Sequence, residues 1–258
     1  MSSATPGLAP DVAAESVLRL GDTCLVLAQR LSAWCGHGPA LEEDIALANI
    51  ALDLLGQARG LLTRAGELEG VGRDEDRLAY LRDAPDFRNL LLAEQPHGDF
   101  AHTIVRHLLW DCFAVELWPA LARSSDEVLA GVAGKAAKES AYHLRHTSGW
   151  LVRLGDGTEE SRRRVLDALD ALWPYAGEAM LDDDVDRQAA EAGLVPLPSS
   201  IEPAWRKRVA DVLVEATLPV PPDVWWQRGG KQGQHSEHLS YLLGEMQVLH
   251  RSDPDAQW

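Results

Sequence analysis

Hydrophobic residues recur along the chain at intervals of three and four residues, the spacing that places side chains on one face of an α-helix. The period-two alternation that predicts β-strands is scarce. Proline and glycine interrupt the helical pattern, for example in the run Gly36-His37-Gly38-Pro39. The pattern therefore predicts an all-α protein.

Seven longer helices and one short helical piece are predicted. Their bounds are residues 15–34, 41–66, 99–119, 125–155, 158–181, 203–218 and 236–250, with the short piece at 87–94. The segment 181–203 is predicted to be mostly loop. We expect a flexible tail over residues 1–14 and a single helical domain over residues 15–258.

Short breaks join the first four long helices in two pairs. Residues 36–39 separate the first helix from the second, and a short break after Pro119 separates the third from the fourth. Each pair is therefore expected to be antiparallel, and a longer connection joins the two pairs. This is the layout of a ferritin-like four-helix bundle, with the additional C-terminal helices packed outside it.

The second predicted helix is apolar on nearly every side, yet it carries Asn49, Asp53 and Gln57 at four-residue spacing. A helix that is apolar all round belongs inside a bundle, where polar groups need partners from facing helices. We therefore expect these three side chains to be buried. Inward polar groups of helical bundles commonly build metal sites.

A di-iron bundle takes a Glu from one helix of each pair and a Glu-x-x-His motif from the other. The only such motif here runs from Glu94 to His97, and Pro96 within it predicts a break in the helix. Asp99 and His102 have a related spacing, but Asp99 stands at a helix start and is expected to be an N-cap. The sequence predicts neither a metal site nor a catalytic residue in this chain.

Side chains of the third and fourth helices leave two interpretations open. Glu139, His143 and His146 lie near one face of the fourth helix, and Glu116 approaches from the third. As an alternative, these four residues hold one metal ion. The interpretation we adopt is a metal-free structural network, formed by Asn49, Asp53, Gln57, Glu116, Glu139 and His143.

Trp225 and Trp226 stand next to each other in a segment flanked by proline and glycine. Adjacent side chains in such a segment do not easily face one core. We therefore expect at least one of them to contact a partner protein in an assembly.

The formal net charge is −16, with 24 Lys and Arg against 40 Asp and Glu. Nucleic acids and anionic membranes bind clustered positive charge, so neither is a predicted partner. No run reaches the roughly 18 uninterrupted apolar residues of a membrane span. The three scattered cysteines fit no zinc motif, and the first residues lack the pattern of a secretory signal. We expect a cytoplasmic protein.

Short runs along nearly the whole chain carry a family resemblance. They are GDTCLVL (21–27), WCGHGP (34–39), LANIALDLLGQAR (47–59), NLLL (89–92), EQP (94–96), GDFA (98–101), KE (138–139), YHLR (142–145), GGK (229–231), EHL (237–239), EMQ (245–247) and QW (257–258). Together these runs resemble the C subunits of bacterial ring-1,2-phenylacetyl-CoA epoxidases. The resemblance weakens only in the N-terminal tail and around residues 181–203.

This resemblance implies a ferritin-like subunit that has lost its di-iron ligands and pairs with a homologous catalytic A subunit that keeps them. In that family the di-iron centre of the A subunit activates O2 and epoxidises the aromatic ring of phenylacetyl-CoA, with electrons from NADPH supplied through a reductase. This chain would then hold no cofactor and would stabilise the catalytic A subunit within a hetero-oligomer.

Two other functions remain open. The chain is an iron enzyme in its own right if Glu116, Glu139, His143 and His146 hold a metal, and the isolated protein would then contain stoichiometric iron. It is an assembly factor or a storage-type bundle if it neither pairs with an oxygenase nor affects the turnover of that oxygenase.

Overall fold

The computed structural model describes residues 8–253, and within that range it consists of helices and connecting segments without a β-strand. Ten α-helices lie in this part of the chain. They are α1 (Pro10–Ser32), α2 (Leu41–Glu69), α3 (Glu75–Tyr80), α4 (Leu91–Glu94), α5 (Phe100–Leu121), α6 (Glu127–Gly155), α7 (Glu159–Ala176), α8 (Asp184–Glu191), α9 (Glu202–Glu215) and α10 (Glu237–Ser252). The predicted all-α class is confirmed.

Contacts between residues divide the chain into two compact units. The first unit contains the described residues up to Pro96 and those from Arg228 onward, and therefore holds α1–α4 and α10. The second unit, His97–Gln227, holds α5–α9. The single domain expected over residues 15–258 stays a prediction.

The long helices α1 and α2 form the centre of the first unit. Gly21 of α1 lies so close to α2 that a Cβ atom added there would be 2.9 Å from Leu62 Cδ2. Cys24, about one turn further along α1, lies opposite Gln57. Residues later in α1 thus contact residues earlier in α2. The two helices are therefore antiparallel, as the short break between them predicts.

The long helices α5 and α6 form the corresponding pair of the second unit. Phe100, at the start of α5, packs edge-on against Trp150 near the end of α6, with ring centroids 5.1 Å apart. Further along α5, Asp111 meets Thr147, which precedes Trp150 in α6. This pair is therefore antiparallel as well.

A buried tryptophan brings α7 and α9 onto the α5–α6 pair. Trp205 of α9 has no exposed surface, and its Nε1–H donates a hydrogen bond of 2.9 Å to the Leu109 carbonyl of α5. Its ring stacks on Trp173 of α7, with centroids 5.6 Å apart. The aromatic contacts and the satisfied indole N–H make this the centre of packing between the three helices.

Side-chain caps explain where several helices begin. Asp99 accepts a hydrogen bond of 3.1 Å from the backbone N–H of His102, which confirms its predicted role as the N-cap of α5. Asp126 accepts from the backbone N–H of Leu129 at 3.0 Å, and Thr158 caps α7 in the same way. Such caps satisfy N–H groups that have no partner within the helix.

The first helix begins at Pro10, inside the tail predicted for residues 1–14. Proline suits the first turn of a helix because its missing N–H would have no helical partner there. Ala13 and Ala14 are buried, so packing holds this first turn in place. Residues 1–7 of the predicted tail, and the QW run at 257–258, lie outside the described residues.

Two short helices, α3 and α8, lie where no helix is predicted, and α8 falls within the segment predicted to be mostly loop. In α8 the Asp183 carboxylate accepts from the backbone N–H of Asp186 at 3.1 Å, and Ala189 is fully buried. The prediction of mostly loop over 181–203 is thus wrong for Asp184–Glu191. A cap and one or two buried side chains suffice for a helix of this length, but they leave little periodic signal.

Gly66, near the end of α2, allows the following turn to fold back on the helix. A Cβ atom there would lie 2.0 Å from the Arg73 carbonyl oxygen. We expect Gly66→Ala to lower the free energy of unfolding by about 1–3 kcal/mol, because the turn must move. Urea denaturation of the purified variant measures this change.

The matched control is Gly134→Ala in α6, where no described atom would lie within 4 Å of an added Cβ. This change should raise the free energy of unfolding by about 0.5–1 kcal/mol, because alanine has the higher helix propensity. Equal effects of the two substitutions would contradict the packing argument at Gly66.

Candidate functional site

The three polar side chains singled out in α2 lie at different depths. Asn49 is exposed, Asp53 is half-buried and Gln57 is buried. The Cys24 Sγ of α1 donates a weak hydrogen bond of 3.7 Å to Gln57 Oε1. The expectation that all three side chains are buried is therefore wrong for Asn49.

The helical repeat explains this difference. With 3.6 residues per turn, each step of four residues moves a side chain about 40° around the helix axis. Asn49 and Gln57 are therefore about 80° apart around the helix axis. As a result, Asn49 lies on the exposed face of α2 and Gln57 lies on the face that packs on α1. A four-residue spacing identifies neighbours along a helix but does not fix their depth.

The acidic candidates of α5 and α6 each have a basic partner. Glu116 of α5 forms an ion pair with Arg208 of α9. Glu139 of α6 pairs with Lys135 one turn earlier, at 3.1 Å between Nζ and Oε1. His143, in contrast, is buried, with 1% of its surface exposed. The two carboxylates thus take part in separate ion pairs.

Metal-ligating side chains do not converge in the part of the chain that the structure describes. Among residues 8–253, no three His, Cys, Asp or Glu side chains are placed to hold a metal ion. The alternative ligand set of Glu116, Glu139, His143 and His146 is not brought together as such a group, and metal binding by these residues stays a hypothesis. The six-residue structural network draws on both units of the chain and stays a prediction.

A polar cluster does lie between α5 and α6. His107 and Asp111 stand one turn apart on α5, His143 and Thr147 stand one turn apart on α6, and all four are buried. Thr147 Oγ1 donates a hydrogen bond of 2.9 Å to Asp111 Oδ2 and also contacts the His143 carbonyl at 3.1 Å. The cluster therefore adds directional contacts to an otherwise apolar helix interface.

Burial determines the charge state of Asp111. It raises the pKa of this carboxyl to about 8, although the hydrogen bond from Thr147 lowers it. At pH 7 the group is therefore predominantly a neutral carboxylic acid. Neutralisation avoids the large cost of an unpaired charge in the core.

His107 is also neutral at pH 7. Burial, followed by the charges of Arg106 and of three other histidines, holds its pKa well below the ordinary value. Neither ring nitrogen has a hydrogen-bond partner among residues 8–253.

Asp22 is the first of two buried carboxylates in the first unit. It has no exposed surface, forms an ion pair with Arg82 and accepts a hydrogen bond of 2.8 Å from the backbone N–H of Arg88. The Arg82 guanidinium also lies 4.2 Å from the centroid of the Phe87 ring. These contacts tie α1 to the segment that follows α3.

Glu94, at the end of α4, is the second buried carboxylate of the first unit. Its Oε2 accepts hydrogen bonds from Asn89 Nδ2 at 3.0 Å and His235 Nδ1 at 2.7 Å, and its Oε1 accepts one from the Ser236 backbone N–H at 2.6 Å. Burial opposes protonation of His235, but hydrogen bonds to Glu94 and to the Phe87 carbonyl leave its pKa above the ordinary value. Glu94 is therefore a structural residue that joins α4 to the start of α10.

The structure separates the roles of Trp225 and Trp226. Trp226 is half-buried and packs on Trp173 of α7 at 5.6 Å between centroids, with the Arg206 guanidinium 5.8 Å from its ring. Trp225 is 76% exposed. Only one of the two adjacent rings thus faces the core of its unit, as expected, and the interface role of Trp225 stays a prediction.

One of the described helices, α2, is long and apolar enough to cross a membrane by length and composition. Core helices of other proteins pass the same test, so a single helix of this kind is weak evidence for a membrane. In its most apolar window, 44% of the residues are buried. More than half of that window is thus not fully buried.

Residues 3–258 match the model of the family described as phenylacetic acid catabolic protein. The chain belongs to this family. The chain is also 50% identical, over 241 residues, to the C subunit of the 1,2-phenylacetyl-CoA epoxidase from Escherichia coli (strain K12). That match covers 93% of this chain and 97% of the relative. The resemblance carried by the sequence motifs is confirmed.

Members of the phenylacetic acid catabolic protein family are ferritin-like, so the predicted fold class is confirmed. Each pair of long helices here, α1 with α2 and α5 with α6, is an antiparallel pair of the kind this fold uses. Polar side chains also join the helices of each pair, Cys24 with Gln57 in the first and Thr147 with Asp111 in the second.

Sequence reasoning missed several of the buried polar residues. They are Asp22, Arg82, His107, Asp111, Thr147 and His235. The one available signal was the four-residue spacing of His107 with Asp111 and of His143 with Thr147. The contacts of Asp22 and Glu94 join residues about 60 and 140 positions apart, which no local pattern reveals.

We expect Asp111→Asn to flatten the dependence of stability on pH. The pKa of Asp111 is about 8 in the fold and near 3.9 in an unfolded chain, so the folded state binds the proton more tightly. The protonated Asp111 contributes fully to the free energy of unfolding below about pH 4. This contribution is lost as the pH rises toward 8, by up to about 1.4 kcal/mol per pH unit.

Urea denaturation of wild type and variant between about pH 5 and pH 8 measures this slope. Asp170→Asn, at an exposed position of α7, makes the same chemical change at the surface and should leave the slope unaltered. An unchanged slope in Asp111→Asn would show that Asp111 is ionised in the fold.

We expect Glu94→Gln to destabilise the protein strongly, by about 3–5 kcal/mol below pH 6.5, because it leaves protonated His235 without its carboxylate. The folded pKa of His235 is raised, so its contribution is complete below the ordinary value of about 6.5 and is lost as the pH rises through the folded value. The cost of the substitution should therefore shrink at higher pH.

Thermal or urea unfolding at several pH values measures both effects. The matched control is Glu237→Gln at an exposed position of α10, which should change stability little at any pH. A cost at Glu94 that does not vary with pH would contradict the assignment of a raised pKa to His235.

Proposed function

We propose that this chain is the C subunit of a phenylacetyl-CoA epoxidase and acts in phenylacetate catabolism as a non-catalytic, stabilising partner of the catalytic A subunit. The observation that carries the proposal is the 50% identity to the C subunit of such an epoxidase, over 97% of that relative. Identity of this extent along the whole of both chains supports a shared role rather than a shared fold alone.

The non-catalytic part of the proposal draws support from the contacts of the acidic side chains. In the described residues no metal cluster is present, and Glu116 and Glu139 are engaged with Arg208 and Lys135. The buried carboxylate of Glu94 also has a basic partner, because it binds His235. Acidic side chains that already have cationic partners are poor candidates for iron ligands.

The reaction itself is then carried out by the partner. In this proposal the A subunit holds the di-iron centre, which epoxidises the aromatic ring of phenylacetyl-CoA with electrons that originate from NADPH. This chain contributes a folded helical surface that stabilises the partner, and Trp225, which is 76% exposed, is a candidate contact in the assembly. The complex is a cytoplasmic hetero-oligomer that binds neither nucleic acid nor membrane.

The proposal is tested by elemental analysis and turnover of this chain alone, of the A subunit alone and of the co-expressed pair. We expect iron and epoxide formation only where the A subunit is present, at the iron stoichiometry of that subunit. The pair should also show a higher melting temperature for the A subunit than the A subunit alone, because binding stabilises the folded state.

Glu139→Gln and His143→Gln in this chain provide the decisive comparison. Complexes that contain these variants should keep their full iron content. Stoichiometric iron in the isolated wild-type chain, lost in either variant, would overturn the proposal in favour of a metal enzyme. Failure of the wild-type chain to associate with the A subunit would instead point to an assembly factor or a storage-type bundle.

A further inference from the structure

One face of α2 exposes large apolar side chains to solvent. Leu41 is 72% exposed, Ile45 53%, Leu52 65% and Leu55 39%. Single exposed apolar residues are ordinary, but a row of four on one helix is unusual for the surface of a monomer. This face therefore has the character of an interaction surface.

The spacing of these residues identifies the kind of surface. With Ala48, which is half-buried, they occupy positions 41, 45, 48, 52 and 55, at steps of four, three, four and three. This is the heptad spacing by which one helix packs along another. We call these five residues, Leu41, Ile45, Ala48, Leu52 and Leu55, the α2 stripe.

The other side of α2 is already occupied within its own unit. Leu47, Ile50, Leu54 and Leu61 are buried, and α1 packs along the helix. The composition that makes α2 resemble a membrane span thus has two sources, a buried face and the α2 stripe. Two apolar faces on one helix indicate packing against two different elements.

Asn49 lies on the exposed side of α2 between Ile45 and Leu52. One residue after Ala48, Asn49 lies beside the heptad positions of the α2 stripe, so its amide flanks the apolar seam.

Charge selects among the possible occupants of the α2 stripe. Two copies of this chain would each bring a net charge of −16, which opposes self-association and binding to anionic lipid. Glu42 adds an exposed carboxylate beside the stripe, whereas Arg59 at its end pairs with Glu75 at 3.2 Å. The edge is therefore acidic, and it complements Lys or Arg on a partner helix.

We propose that the α2 stripe is the surface on which a helix of the catalytic A subunit docks, through an apolar seam flanked by basic side chains. The inference rests on the proposed function, because it takes the identity of the partner from it. It adds the location of the interface and the chemistry of the helix that meets it.

The first test measures binding of the purified A subunit to this chain and to its variants Ile45→Glu and Leu52→Glu. Each variant should raise the dissociation constant by at least about 30-fold, which is the effect of losing one central apolar contact. The control is Val214→Glu in α9, which is 69% exposed and lies outside the stripe. It should bind as the wild type does, and all the chains should keep the same helicity and melting temperature.

A second test does not depend on weakening the interface. Leu52→Cys and Val214→Cys are each made in a Cys35→Ser background, because Cys35 is the exposed native cysteine of the described residues. Saturating A subunit should slow maleimide labelling at position 52 at least tenfold and leave labelling at position 214 unchanged. Equal labelling rates at position 52 with and without the partner would overturn the proposal.

The outcomes separate failure of this inference from failure of the proposed function. If the wild-type chain does not bind the A subunit, the proposed function fails. If it binds and the stripe variants bind equally well, only the α2 interface is wrong. If the wild-type chain forms a dimer and Leu52→Glu dissociates it, the occupant of the stripe is a second copy. If the wild-type chain sediments with phosphatidylglycerol vesicles and the same variant does not, the occupant is a membrane. Either result would overturn the proposal.

Discussion

A carboxylate buried between helices must be ion-paired, hydrogen-bonded or protonated, because an uncompensated charge in the core costs several kcal/mol. Three buried carboxyl groups of this chain meet the requirement in different ways. Asp22 pairs with Arg82, Glu94 accepts hydrogen bonds from His235 and from a backbone N–H, and burial keeps Asp111 predominantly neutral at pH 7. Asp22 ties α1 to the segment after α3, Glu94 joins α4 to the start of α10, and Asp111 joins α5 to α6 in the other unit. These inward carboxyl groups are therefore committed to the fold.

The same physical requirement bears on what the protein does. In a di-iron bundle, inward carboxylates are compensated by the metal, and the site depends on it. Here the buried carboxylates Asp22 and Glu94 are compensated by Arg82, His235 and backbone N–H groups of the chain itself. The charges of these side chains are therefore balanced within the chain itself. In the proposed role as a stabilising subunit, this balance would give the partner a surface that is already folded.

The helices and the family follow from the sequence because both rest on local signals: apolar spacing, capping residues and short runs such as LANIALDLLGQAR. The burial of a side chain and the identity of its contact partner do not follow from the neighbouring sequence. Asn49 and Gln57 share one spacing yet lie on opposite sides of the boundary between surface and core. The meeting of Asp111 with Thr147 depends on the register of α5 against α6, and that of Glu94 with His235 on the return of the chain over about 140 residues. Sequence spacing supplies candidates for such contacts, and packing selects among them.

Stability and assembly are carried by different parts of the first unit. The buried ion pairs tie α1 to the segment after α3 and α4 to the start of α10, whereas the large side chains of the α2 stripe are exposed and contribute less to the core of the unit. A change in the buried pairs therefore alters folding and, through it, assembly. A change in the stripe alters assembly and leaves folding intact. In the proposed assembly, the net charge of −16 disfavours pairing of the exposed apolar stripe with another copy of the chain and favours a partner of complementary charge.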